Sequence, residues 1–156
     1  MGEGRREVIA DWLMALGAAI LFVSLFLTWS HQFSLEFLAR YGRSPALDGV
    51  PHDPTAWQVY SIVDVLLALV AGGLLTVALR GSRAWRVAVV LGLALAIAFV
   101  VHALGAPPTN GADLFDPGLR LPAYSPDHPT AGAGEVVALI GLGLGAVGVL
   151  LSFKAD

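Results

Sequence analysis

Apolar residues fall in four long blocks along the chain, at about 12–29, 57–79, 85–104 and 132–153, and most polar residues lie between them. Each block approaches the roughly 20 residues that a helix needs to cross a 30 Å hydrocarbon layer. Backbone groups in lipid must find their partners within the segment, so the blocks predict helices. A soluble core would break such runs into shorter amphipathic pieces. The expected fold is an all-α membrane protein, a four-transmembrane-helix bundle forming a single domain over 1–156, with outer loops at about 30–56 and 105–131.

Composition points the same way. Hydrophobic residues make up 56% of the 156 and charged residues only 13%, about half the roughly 25% usual in a soluble domain. The first partner of this chain is therefore the lipid bilayer. The absence of cysteine excludes disulfides, thiolate metal sites and cysteine nucleophiles. A net charge of −3 without a long basic run argues against nucleic acid. The segment 1–7 carries Arg5 and Arg6 and leads into the first block, as a signal peptide would. It lacks a small-x-small cleavage site, so the first block is expected to be a retained span.

The four tryptophans fall at block boundaries, Trp12 and Trp85 towards one face and Trp29 and Trp57 towards the other. Indole prefers the headgroup level, so all four are expected to be interface anchors. Orientation follows from the basic residues. Arg5, Arg6, Arg80, Arg83, Arg86 and Lys154 share one side, against Arg40, Arg43 and Arg120 on two longer loops. The richer side is expected to be cytoplasmic, giving a multi-pass protein of the cell membrane with both termini inside.

Local signals refine the loops. Asp53 and Pro54 suit the cap and first position of the second span, with membrane entry at Trp57 and Tyr60. Phe33, Phe37, Leu38 and Tyr41 recur at helical spacing before Gly42, which predicts a short helix on the membrane surface, the alternative being a continuation of span one. The second loop carries Pro107, Pro108, Pro117, Pro122, Pro126 and Pro129, which excludes a continuous helix. Its Asp113, Asp116 and Asp127 fit no EF-hand spacing and read as a solvated acidic loop.

Small residues mark expected helix contacts, because close backbone approach drives association in lipid. Span four offers Gly134, Gly141, Gly145 and Gly148, span three Ala88, Gly92 and Ala96, and span two Ala68, Ala71 and Gly72. These faces serve either the bundle itself or a second protein.

Ionisable residues within spans are costly and stand out as an intramembrane polar site: Asp64, His102 and Glu135. Asp64 shares a face with Ser61, Ala68, Ala71 and Gly72, so its carboxylate should point into the bundle. There it either makes a structural hydrogen bond, with Ser61 or His102 as candidates, or binds a proton or cation. Glu135 opens span four, where the helix dipole favours a carboxylate without any further role. Glu7 and Asp11 are expected in the first turn of span one, on the same grounds. Two histidines near the outer face, His31 and His102, are a chemically sensible haem pair, although neither spacing nor context demands a cofactor. No HExxH, GxSxG or phosphate loop is present, so an enzyme is not expected.

The stretches LFVSLFLTWS (21–30) and TAWQVYSIVDVLLALVAGG (55–73) resemble a loose group of uncharacterised small four-span membrane proteins from high-GC bacteria. The resemblance implies a four-helix architecture and no particular activity, and the proline-rich second loop departs from it. The leading functional expectation is a non-catalytic accessory or assembly subunit, partnered by another membrane protein or by itself. The alternatives are a small oligomeric transporter or proton pathway centred on Asp64 and His102, and an electron-transfer subunit binding haem or a pigment.

Overall fold

The computed structural model describes residues 3–48, 51–60, 62–80, 83–108 and 129–154. In chain order the elements are α1 (Glu3–Ser24), β1 (Ser30–His31), α2 (Leu35–Tyr41), a 3-10 turn (Pro45–Leu47), α3 (Ala56–Val59), α4 (Val63–Arg80), α5 (Arg83–Gly105), β2 (Thr130–Ala131) and α6 (Ala133–Phe153). Among the described residues, α1, α4, α5 and α6 are long and apolar enough to cross a membrane. The chain is thus a multi-pass, all-α bundle, as the four blocks predict.

The helices form a ring in which α1 packs most extensively on α6 and then on α4, while α5 touches α6 and α4. The start of α1, the end of α4, the start of α5 and the end of α6 lie at one end, the turn end; segments 25–48, 51–60 and 129–132 lie at the other, the loop end. At the turn end, Arg86 Nη1 donates to the Ser152 carbonyl at 3.2 Å, tying α5 to α6. The core runs through Met14, Leu21, Leu25, Leu67, Leu74 and Leu142, all nearly solvent-free.

Glycines set the α1–α6 distance. A Cβ added at Gly141 would lie 2.6 Å from the Leu21 amide nitrogen, and one at Gly17 equally close to the Gly141 carbonyl oxygen. Backbone therefore meets backbone. At Gly148 the added carbon would meet Met14 and the Ala10 carbonyl, and at Gly145 the Leu74 side chain. The expected glycine stripe of span four is a true helix contact, answered in span one by Gly17, which the pattern of small residues alone does not single out.

Several expectations need correction. Helix α1 ends at Ser24, five residues before the end of the apolar block, because Leu25, Phe26 and Leu27 close it with i→i−3 hydrogen bonds. It begins at Glu3, so Glu7 and Asp11 lie beyond its first turn. The second span does not start at Asp53 and Pro54. Thr55 caps the one-turn helix α3, its amide donating to Gln58 Oε1 at 3.0 Å. Tyr60 is then extended (φ −114°, ψ 139°) and interrupts the helix before α4 begins at Val63. Trp29 is not an interface anchor: it is fully buried, whereas Trp12, Trp57 and Trp85 are exposed at 73%, 40% and 55%. The position of an indole along the chain gives its depth but not its direction. Gly72 and Ala88 are exposed and do not join helices of this bundle, since a Cβ at Gly72 would touch nothing.

The surface helix of the first loop forms as expected, with Ser34 Oγ capping it through the Phe37 amide and the Gly42 amide closing it on the Leu38 carbonyl. Of the second loop, residues 109–128, including Pro117, Pro122, Pro126, Asp113, Asp116, Asp127 and Arg120, lie outside the described residues.

Candidate functional site

Polar residues are scarce inside this bundle, and their distribution is uneven. Among the described residues, Ser24, Ser30, Gln32, Asp64 and Glu135 are buried at the loop end; the other buried polar groups, Arg86 and Ser152, bond each other at the turn end. The loop end is therefore where chemistry can occur.

It is organised by a strand. After α1 the chain runs extended through 28–32 and bonds on both sides. On one side the Trp29 amide donates to the Pro54 carbonyl and the Gln32 amide to the His52 carbonyl, each at 2.9 Å, and Thr28 bridges Thr55. On the other, β1 pairs antiparallel with β2, Ser30 opposite Ala131 and His31 opposite Thr130. Side chains of an extended segment alternate, so Ser30 and Gln32 point inward and His31 outward. Gln32 Nε2 donates to Ser30 Oγ at 2.6 Å and to the Pro108 carbonyl at 2.9 Å, which ties the segment after α5 into the cap. Outside, His31 Nδ1 lies 2.6 Å from Asp53 Oδ1, both side chains about half exposed.

Trp29 seals the cap from below. Its Nε1 donates to the Ser24 carbonyl at 2.8 Å, a second donor to the oxygen that already accepts the Leu27 amide at the end of α1. Gly134 is glycine because any Cβ there would strike the Trp29 ring at 2.5 Å. Tyr60 sets its ring edge-to-face against both Trp29 and Phe99, with centroids 5.7 and 5.1 Å apart. Burial, and after it the nearby Glu135 carboxylate, push the Tyr60 phenol up to about 12.

Under this cap sit the two acids. Asp64 is the second residue of α4 and Glu135 the third of α6; both helices enter from the loop end. Leu74 packs on Gly145, and each acid precedes its member of that contact by ten residues, so the two stand at the same depth. Asp64 is 4% exposed, and its Oδ1 accepts from the Val65 amide at 2.7 Å, a first-turn interaction that neutralises a free helix N–H. Glu135 is fully buried, and neither oxygen has a hydrogen-bond partner among the described residues. The Gly132 amide at its helix cap is directed to the Trp29 carbonyl instead. The dipole of α6 favours a carboxylate here, but an unbonded buried one still costs several kcal/mol.

The third expected member, His102, does not join them. It is exposed near the end of α5, and no hydrogen bond links it to Asp64 among the described residues. His31 is committed to Asp53, so the described residues form no buried bis-histidine pocket. They also hold no cluster of three or more metal-ligating side chains. What the expectation missed is Trp29, Tyr60, Ser30 and Gln32 as inner members of the cap. The alternation Ser-His-Gln directly after Trp29 points to Ser30 and Gln32 alone, since it would set Trp29 on the outer side with His31.

No family model, curated protein or solved structure matches this chain.

Proposed function

We propose that the protein is a non-catalytic subunit of a larger membrane complex, working by presenting its loop end to a partner, either another membrane protein or a second copy of itself. The carrying observation is the ordered platform there. Helix α2 buries none of its residues, and Leu35 is 87% exposed. Yet the helix is held in place by a capped start, by the stacking of Phe33 on Phe37 (centroids 5.1 Å apart), and by strand pairing on both sides of 28–32. An arm that gains little burial for itself, but is fixed so firmly, suits contact with something else. The arginine asymmetry supports an orientation in the cell membrane with both termini cytoplasmic and the platform facing out.

The test is purification of tagged protein from its native membrane in mild detergent, with co-purifying proteins identified by mass spectrometry. A stoichiometric partner that is held by the native chain and lost on Leu35→Asp, with helicity unchanged, is the expected result. A protein that elutes alone in both cases would end this reading.

Glu135 favours a second reading, a proton or cation pathway through the loop end with Asp64 beside it. A carboxylate with neither oxygen bonded takes a proton, a cation or water as its partner. Ion flux into liposomes should fall sharply in Glu135→Gln and Asp64→Asn; unchanged flux in both removes the pathway.

A further inference from the structure

Of the four helix contacts in the ring, that between α4 and α5 is the slightest. Between α4 and α5 runs an apolar groove of about 380 Å³, whose lining includes Leu66, Val70, Gly73, Trp85, Gly92 and Phe99. Its rim is exposed, with Leu66 at 54% and Trp85 at 55%. Two glycines create the space. A Cβ at Gly73 would meet only a Val89 methyl at 3.1 Å, and one at Gly92 only a Val70 methyl at 3.2 Å. Leucine at either place would fill the groove.

We propose that this groove holds one acyl chain of an anionic phospholipid, whose phosphate is held at the turn end by Arg80. The dimensions suit a chain. From Trp85 to Phe99 the groove follows α5 for about 21 Å at 1.5 Å per residue, which leaves a mean section of about 18 Å². A helix, about 10 Å across, would rest on the rim and leave the floor empty. The charge at the mouth selects the headgroup. Arg80 ends α4 seven residues after Gly73, hence two turns along the same face. It is exposed and makes no ion pair among the described residues. Trp85, near the start of α5, marks the headgroup level beside it. Arg86 is turned the other way, bonded to the Ser152 carbonyl and within electrostatic reach of Asp11. Among the described side chains, the acids of this end, Glu7 and Asp11, stand on α1, which does not line the groove. A basic mouth opening on an apolar groove between helices is a recurring way of holding an acidic lipid.

The experiment reconstitutes the full chain in nanodiscs of mixed phosphatidylcholine and phosphatidylglycerol, releases it gently, and counts the retained lipids by native mass spectrometry. The native protein should keep one phosphatidylglycerol. Gly92→Leu should lose it, while Gly143→Leu, on a face where a Cβ meets nothing, should retain it. Arg80→Gln, an exposed change that leaves the fold alone, should keep a lipid but lower the preference for phosphatidylglycerol by about fivefold. Equal retention by the native protein and Gly92→Leu, an unchanged headgroup preference in Arg80→Gln, or a photo-crosslink from position 95, where Leu95 stands on the exposed rim of the groove, to a protein helix in place of lipid would each overturn the proposal.

Discussion

Two seams of this bundle carry the same sequence signal and have opposite fates. Span four and span three both repeat small residues at helical spacing. In α6 the repeat closes onto α1 until backbones touch, with Gly17 and Gly141 facing each other. In α5 it borders a groove open to lipid, and Ala88 stays exposed. The difference lies in the partner face. Helix α1 offers Gly17 opposite Gly141 and Gly145, and the small Ala10 opposite Gly148, so close approach buries surface on both sides. Across from Gly92, α4 presents Val70, whose branched side chain keeps the helices apart. A small-residue repeat is an invitation to close packing, and the facing helix decides whether it is accepted.

The largest effect should come from closing this comparison by force. Gly141→Leu places side-chain atoms where the α1 backbone already lies, which should cost about 3 kcal/mol or more. Thermal unfolding followed by circular dichroism in detergent micelles should show either a much lower midpoint or no folded protein. A near-native midpoint would mean that α1 and α6 are not in backbone contact.

Trp29→Phe tests the cap above the closed seam. It removes one of the two donors to the Ser24 carbonyl, which keeps its bond from the Leu27 amide, a loss of about 1 kcal/mol. Quenching separates the roles of the tryptophans. The change should remove the fluorescence component shielded from aqueous acrylamide and brominated lipid alike, because Trp12, Trp57 and Trp85 are all exposed. If the component lost were instead the one quenched by lipid, Trp29 would face outward.

At the open seam the same kind of change should be mild. Gly72→Ala meets nothing and should stabilise α4 by up to about 1 kcal/mol through helix propensity. Gly92→Leu should shift stability by no more than about 0.5 kcal/mol, since its side chain has the groove to enter. A collapse as severe as that of Gly141→Leu would show that the groove is closed in the membrane.

The outermost ionic contact should matter least. His31 and Asp53 are about half exposed, so water screens their attraction, and the strand register rests on backbone bonds. Asp53→Asn is expected to change the unfolding midpoint by less than about 0.5 kcal/mol equivalent.

Much of this was legible in the sequence for a simple physical reason. Lipid forbids unbonded backbone and rewards long apolar runs, so four such blocks dictate four helices regardless of how they meet. The short helix of the first loop was legible too, because the spacing of Phe33, Phe37, Leu38 and Tyr41 and the stop at Gly42 act over three or four residues; its cap, Ser34, came from the structure. Asp64 and Glu135 announced themselves as ions where ions are expensive. What only the tertiary structure decided depends on groups far apart in the chain. Trp29 turns inward because the Ser24 carbonyl accepts its indole N–H and a glycine at 134 makes room for its ring. Segment 28–32 becomes the centre of a small sheet because residues 52–55 and 130–131 arrive on either side. The two acids share one depth because Leu74 and Gly145 set the register of α4 against α6. Which glycine stripe closes, and which stays open to lipid, was settled by the side chains on the facing helix, and no single segment contains that information.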